Sequence, residues 1–163
     1  MDASIRLLWL FLFTAMAQAN GAPLDGLDEH HPVCFGHKYA NTELKDRPAQ
    51  TVRQLKLKFS VDPYVTVKNP YLHVAAAVKT PKGTSKYASD MICDTVDGTL
   101  TCAIECDGGG ASVTWDAQTT DGAVHFVNRG FVLYGGCEDS SAPIWLAPTP
   151  NGDDQFTLEP VAC

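Results

Sequence analysis

Three histidines and one cysteine lie close together near the start of the chain, and their side chains are good ligands for zinc or copper. His30, His31, Cys34 and His37 fall within eight residues, and imidazole and thiolate suit both metals. The alternative is that Cys34 forms a disulfide and the histidines of a flexible leader are solvated. A metal site would leave another of the six cysteines unpaired, so the sequence favours the disulfide and predicts no metal or other cofactor.

An apolar run at the amino terminus predicts export. Residues 7–17 are almost entirely apolar and lead into AQA at residues 17–19, with small alanines on either side of Gln18, which is the pattern of a signal peptide and its cleavage site. The run is shorter than the about 20 apolar residues that a membrane anchor needs. We therefore expect removal of residues 1–19, a secreted or periplasmic protein with no membrane span, a leader over residues 20–50 and a single domain over residues 51–163.

An even number of cysteines in an exported chain predicts disulfides. Asp97-Gly98 is a preferred dipeptide for a two-residue hairpin turn, because both residues tolerate positive φ. Counting outward from that turn places Cys93 opposite Cys102, in a non-hydrogen-bonded pair where the Cα atoms are close enough for a disulfide. We expect the bond Cys93–Cys102, and we assume Cys106–Cys137 and Cys34–Cys163 for the remaining thiols, although spacing alone does not select them.

The stretch CAIECDGGGAS contains two further patterns. Three residues separate Cys102 from Cys106, so this is not the redox motif with two intervening residues, and on a strand both thiols would share one face. The three glycines lack the lysine of a phosphate-binding loop and lead into an alternating strand. They are expected to form a bulge or a corner of the sheet.

Most of the remaining chain alternates between apolar and polar residues, as strands do. Residues 54–59, QLKLKF, alternate strictly, and residues 71–80 are predicted to be a strand although their alanines also favour helix. A second hairpin with its turn at Asp121-Gly122 would place Trp115 opposite Asn128.

These patterns define the expected architecture. Turn residues recur about every 8 to 12 positions, which indicates an all-β fold, an antiparallel meander that forms a small barrel or sandwich stapled by disulfides. Residues 42–47 are expected to form a short helical turn that ends before Pro48.

Three parts of the exported chain carry a resemblance. The stretches CFGHKYANTELKDRPAQTVRQLKLKF, IECDGGG and GFVLYGGC resemble those of small exported cysteine-containing bacterial proteins, over most of the mature chain. The resemblance implies the compartment and the fold. It implies no activity, cofactor or binding residue.

Charge and motifs exclude several function classes. The net charge is −7, which argues against a nucleic-acid partner because such binding depends on Lys and Arg. No Gly-x-Ser-x-Gly or His-Glu-x-x-His sequence occurs. His73 and His125 lie on the polar sides of their strands, and the predicted hairpin places His125 diagonal to Asp116. Because no nucleophile is recognisable beside them, His125 and Asp116 are expected to form a surface pair rather than a catalytic one. The sequence therefore offers no catalytic residue.

Two acidic loops contain the candidate binding residues. They contain Glu138, Asp139, Asp153 and Asp154, and loops on a rigid β scaffold often carry function. We expect a non-catalytic binding module, either an inhibitor that binds a basic protein or a binder of a small ligand. The alternatives are a metal-dependent protein or enzyme using the His30, His31, Cys34 and His37 cluster, and a structural envelope protein.

Overall fold

The structure is a computed structural model that describes residues 24, 27, 28, 30–61, 69–97, 99–115, 122–135 and 142–163 of the 163-residue chain. These residues are nearly all in antiparallel strands, which confirms the predicted all-β class. In chain order the elements are β1 Val33–Lys38, α1 Glu43–Asp46, β2 Val52–Val61, β3 Pro70–Thr80, β4 Gly83–Val96, β5 Thr99–Ala103, β6 Gly109–Trp115, β7 Val124–Gly135, β8 Ile144–Leu146 and β9 Gln155–Pro160.

The nine strands form one sheet that closes into a ring. Their order is β6-β5-β4-β3-β2-β1-β9-β7-β8, and β6 also pairs with β7. β4 pairs with β5 near its carboxyl end, whereas Tyr87 and Ala88, earlier in β4, pair directly with β7. The hairpin β5–β6 therefore separates β4 from β7 at one end of the ring only. At the other edge of β7, its first residues pair with β9 and Phe131–Leu133 pair with β8.

Large apolar side chains fill the interior of the ring. In β2, Leu55, Leu57 and Phe59 are fully buried, as the alternation of QLKLKF predicts. Burying one such side chain stabilises the fold by about 1.5–3 kcal/mol. Because the interior is occupied by these groups, a ligand would have to bind at an end or on the outside of the ring. The fully buried phenylalanines are Phe35, Phe59, Phe126, Phe131 and Phe156.

The first predicted hairpin is confirmed in register. β4 and β5 pair Val96 with Thr99 and Cys93 with Cys102, and Asp97 has the expected positive φ of 50°. The Cys93–Cys102 disulfide is present, with Cα atoms 4.0 Å apart.

The other predicted disulfides have different outcomes. Cys34–Cys163 is present and joins β1 to the end of the chain. Cys106 forms no disulfide among the described residues, and its predicted partner Cys137 lies outside them. The prediction that Cys102 and Cys106 share one face of a strand is wrong, because β5 ends at Ala103 and Cys106 lies in a turn with a positive φ of 58°.

The predicted register of the second hairpin is also wrong. Trp115 pairs with Val124 rather than with Asn128, which pairs with Ala111. The two registers differ by four residues, an even number, so each keeps the same side chains on the inner face. Hydrophobic alternation therefore cannot distinguish them. The predicted turn at Asp121-Gly122 lies partly outside the described residues.

The glycines at the start of β6 form the expected bulge. The register between β6 and β7 shifts between Gly109 and Ala111, and Gly109 has a φ of 81°. A Cβ at Gly109 would lie 2.0 Å from the carbonyl oxygen of Gly130. Only glycine permits this close approach of the two strands.

The segment assigned to the leader contributes strand β1 to the sheet. All six residues of β1 pair with β2, and Phe35 and Gly36 also pair with β9. The helical turn predicted over residues 42–47 is present as α1, and residues 71–80 lie in β3, as predicted.

Candidate functional site

The histidine and cysteine cluster near the start of the chain does not converge on one point. Cys34 is buried and bonded to Cys163, so it has no thiolate for a metal. His31 Nδ1 lies 2.8 Å from Asp28, and His37 Nε2 lies 2.8 Å from Glu43. Within the described residues no three His, Cys, Asp or Glu side chains are grouped to hold a metal ion.

The carboxylates beside these histidines are held in their charged form. The side chain of His31 and the N–H of His30 donate to Asp28, and they lower the pKa of Asp28 to about 2. The pKa of Glu43 is lowered mainly by the hydrogen bond from the Ala40 N–H, and the side chain of His37 lowers it further. Hydrogen bonds to a carboxylate favour its charged form. These contacts are local pairs that fix the chain before and after β1.

Asp153 and Asp154, the described acidic residues of the predicted binding loops, both bind other residues of the protein. Asp153 is only 2% exposed. Its carboxylate accepts hydrogen bonds from the N–H groups of Thr51 and Val52 at 3.0 Å and from the Thr51 hydroxyl. Asp154 lies 3.5 Å from Arg47. A partner therefore cannot reach the Asp153 carboxylate from outside, and Glu138 and Asp139 lie outside the described residues.

Each of the two strand histidines has a polar partner on a neighbouring strand, and Asp116, the predicted partner of His125, lies outside the described residues. His73 Nδ1 is 2.7 Å from Asp90 across the β3–β4 pair. His125 Nδ1 is 3.3 Å from the Thr157 hydroxyl on β9. His73 and His125 lie on different strands with separate partners, so they form no shared acid–base site.

A cleft of about 720 Å³ lies at the end of the ring where β8 faces the turn between β3 and β4. We call it the end cleft. Val78 and Tyr87 contribute one wall, and Ile144 and Leu146 contribute the other. Lys79 and Lys82 also line it. Its surface is therefore mainly apolar, with positive charge toward the β3–β4 turn.

Trp145 gives the end cleft an exposed aromatic side chain. Trp145 is 55% exposed although it lies within β8. A Cβ at Gly130, whose φ is 89°, would lie 2.7 Å from the Trp145 ring, so the ring packs directly on the β7 backbone at this glycine. An indole held against a strand and open to solvent on its other side is suited to contact an apolar ligand.

Sequence patterns did not identify the end cleft. Its walls come from three strands and a turn that are distant in sequence and meet only when the ring closes. The available signal in the sequence was Trp145, a large aromatic residue in the short predicted strand IWLA.

Comparison with known proteins finds no family model, no curated sequence and no solved structure that matches this chain. Among the described residues, no helix combines the length and the apolar character needed to cross a bilayer.

Proposed function

We propose that this protein is an exported, non-catalytic binding module whose end cleft takes a small amphipathic anion. The observation that supports this most directly is the combination of an apolar cleft, an exposed Trp145 and two lysines at its edge. Small-molecule sites are concave, mainly apolar and about 300–1,000 Å³ in volume. The end cleft, at about 720 Å³, falls within that range.

The lining of the cleft specifies the class of ligand. Pro81, Ile144 and Trp145 line the cleft and are not buried, and their apolar surface favours a hydrocarbon or aromatic group. Lys79 and Lys82 would attract a carboxylate or another negative group at the β3–β4 turn. Asp153 lines the cleft too, but its carboxylate is directed to the N–H groups of Thr51 and Val52.

A binding role is favoured over catalysis by the same residues. The described lining contains neither histidine nor cysteine, the side chains most often used as general base or nucleophile near neutral pH. Export is supported by the predicted signal peptide and by two disulfides, which persist in oxidising compartments. A basic protein partner, a metal-dependent activity and a structural envelope role stay alternative predictions.

Titration with decanoate tests the proposal. Trp115→Phe leaves Trp145 as the one tryptophan beyond the predicted signal peptide. In this variant, decanoate should produce a saturable change in Trp145 fluorescence, because its chain would lie against the indole. Decyltrimethylammonium, which has the same chain and the opposite charge, should bind at least about fivefold more weakly because of the lysines.

Ile144→Glu is the variant that separates binding from a bulk solvent effect. It places a carboxylate in the apolar wall and should abolish the decanoate response while the far-ultraviolet circular dichroism is retained. Thr157→Glu, an exposed change on β9 outside the cleft, is the matched control. If decanoate gives no saturable response, or the same response in both variants, the end cleft is not the binding site.

A further inference from the structure

A second cleft, of about 760 Å³, lies on the other side of the β3–β4 turn, between that turn and α1. Four cationic side chains line it: Lys38, Lys45, Arg53 and Lys79. No aspartate or glutamate is among its described lining residues. We call it the basic cleft. Four positive charges in one cleft contrast with the net charge of −7 for the chain.

Three of these cations, Lys38, Arg53 and Lys79, lie on the adjacent strands β1, β2 and β3 at the same end of the sheet. The N–H of Tyr39, next to Lys38, donates to the Arg53 carbonyl at 3.0 Å, and the N–H of Lys79 donates to the Thr51 carbonyl at 2.8 Å. The β2–β3 register shifts between Val52 and Gln54. A bulge of this kind redirects a side chain, and here the extra residue is Arg53.

Helix α1 supplies the fourth cation from above the sheet. Glu43 accepts hydrogen bonds from the Ala40 N–H and lies 2.8 Å from His37 Nε2, which fixes the helix against the end of β1. Lys45 in the same turn lines the cleft. The basic cleft is thus enclosed by α1 on one side and by the β3–β4 turn on the other.

Within the described part of the chain, no acidic side chain pairs with the positive charges of the basic cleft. Among the described residues, Lys38, Lys45, Arg53 and Lys79 form no ion pair and no side-chain hydrogen bond. The carboxylate of Glu43 on α1 is already bound to the Ala40 N–H and to His37. Like charges held together repel one another, so a bound anion would relieve that repulsion.

We propose that the basic cleft binds a small polyanion, a molecule with clustered phosphate or carboxylate groups. The Arg53 guanidinium can bind two oxygens of one such group, and the lysines act as point charges around it. Asn41 and Thr84 also line the cleft, and their side-chain polar atoms add neutral hydrogen-bonding groups. The site is separate from the end cleft, with which it shares only Lys79, Thr80 and Pro81 among its described lining residues.

Isothermal titration calorimetry with pyrophosphate and with citrate tests this site. Each should bind with a stoichiometry of one, and affinity should fall from about 20 mM to about 150 mM salt because screening weakens exposed charge pairs. Tighter binding of pyrophosphate would identify phosphate as the recognised group, and tighter binding of citrate would identify carboxylate. No heat of binding for either anion at low salt would overturn the proposal.

A charge-matched pair of double variants shows where the anion binds. Lys45→Gln with Arg53→Gln should weaken pyrophosphate binding at least about tenfold. Lys58→Gln with Lys86→Gln removes the same charge from β2 and β4 outside the basic cleft and should change affinity less than about twofold. Equal losses in both would show attraction to the whole surface and contradict a defined site. If Lys45→Gln with Arg53→Gln melts at a lower temperature than the parent, Lys45→Gln alone replaces it in the comparison, because Lys45 lies on the exposed helix α1.

The decanoate response separates this proposal from the proposed function. Neither Lys45 nor Arg53 lines the end cleft, so Lys45→Gln with Arg53→Gln should keep the Trp145 fluorescence change. Loss of pyrophosphate binding with an intact decanoate response would support the basic cleft as an independent site. Loss of both responses in a folded variant would contradict two separate sites.

Discussion

The N–H of Thr51 donates to both carboxylate oxygens of Asp153, each at 3.0 Å, across a separation of 102 residues. The Thr51 hydroxyl and the N–H of Val52 donate to the same carboxylate. Asp153 thereby accepts the hydrogen bonds of two consecutive backbone N–H groups at the start of β2. A residue predicted to bind a partner instead fastens the β8–β9 connection to β2.

Replacement of Asp153 should therefore lower stability. Asp153→Asn keeps the shape but removes the charge and turns an N–H₂ toward the donors of Thr51 and Val52. Hydrogen bonds to a buried charged group contribute about 1.5–3 kcal/mol, and we expect a loss of that size in the free energy of unfolding, measured by urea denaturation. Asp154→Asn, which breaks a partly exposed pair with Arg47, should lose about 0–1 kcal/mol. Similar losses in both variants would contradict the anchoring role.

The two disulfides should differ in how much they stabilise the fold. Cys34–Cys163 joins residues separated by 129 positions, and Cys93–Cys102 joins residues separated by 9. Loop-closure entropy predicts a contribution of about 5 kcal/mol for the long loop and about 3 kcal/mol for the short one. Replacing each pair by alanine and comparing urea denaturation tests the order. A larger loss from the Cys93 and Cys102 pair would show that the entropic argument fails here.

Local turn chemistry explains which structural predictions succeeded. Asp97 and its following glycine fix the β4–β5 register, because a two-residue turn leaves one way to pair the strands. The β6–β7 register was wrong because Trp115 keeps the same face in either pairing. β1 was missed because Cys34 and Phe35, neighbours in sequence, are both buried, so the strand does not alternate.

The candidate sites depend on contacts that sequence patterns do not encode. The end cleft needs β8 to face the β3–β4 turn, and that arrangement follows from closure of the ring. The basic cleft needs a bulge at Arg53 and the position of α1 over three strands. Lys38, Arg53 and Lys79 occur in three separate polar positions of the sequence, where each alone is an ordinary solvent-exposed cation.

The pKa of Glu43 should be below that of an ordinary glutamate in the folded protein. The Ala40 N–H is the main cause and His37 adds to it. The sign follows directly: this stabilisation is present above the unfolded pKa of about 4.3 and is lost as pH falls through the lower folded pKa. A carbon-13 titration of the Glu43 carboxyl group measures it. His37→Asn should raise the pKa only part of the way, because the Ala40 bond remains. A full return to the ordinary value would assign the effect to His37.

Tyr39 provides the opposite case at high pH. Burial raises the pKa of Tyr39 to about 12, so its neutral form is favoured in the folded state. The resulting stability is present below the unfolded pKa of about 10 and is lost as pH rises toward the folded pKa. Ultraviolet titration near 295 nm should show a late ionisation step that becomes smaller in Tyr39→Phe by the signal of one tyrosine. Tyr134→Phe, at a 49% exposed position, is the control and should keep it.

Tyr39→Phe should not lower the stability of the protein at neutral pH. The Tyr39 hydroxyl is buried and has no hydrogen-bond partner among the described residues. An unpaired buried polar group costs about 1–3 kcal/mol, so its removal in Tyr39→Phe should leave the free energy of unfolding unchanged or raise it by about 1 kcal/mol, measured at pH 7. The ring contacts with His37 and Phe156 remain. A loss of more than about 1 kcal/mol would mean that the hydroxyl has a hydrogen-bond partner after all, and the late ionisation of Tyr39 would then need that bond as well as burial.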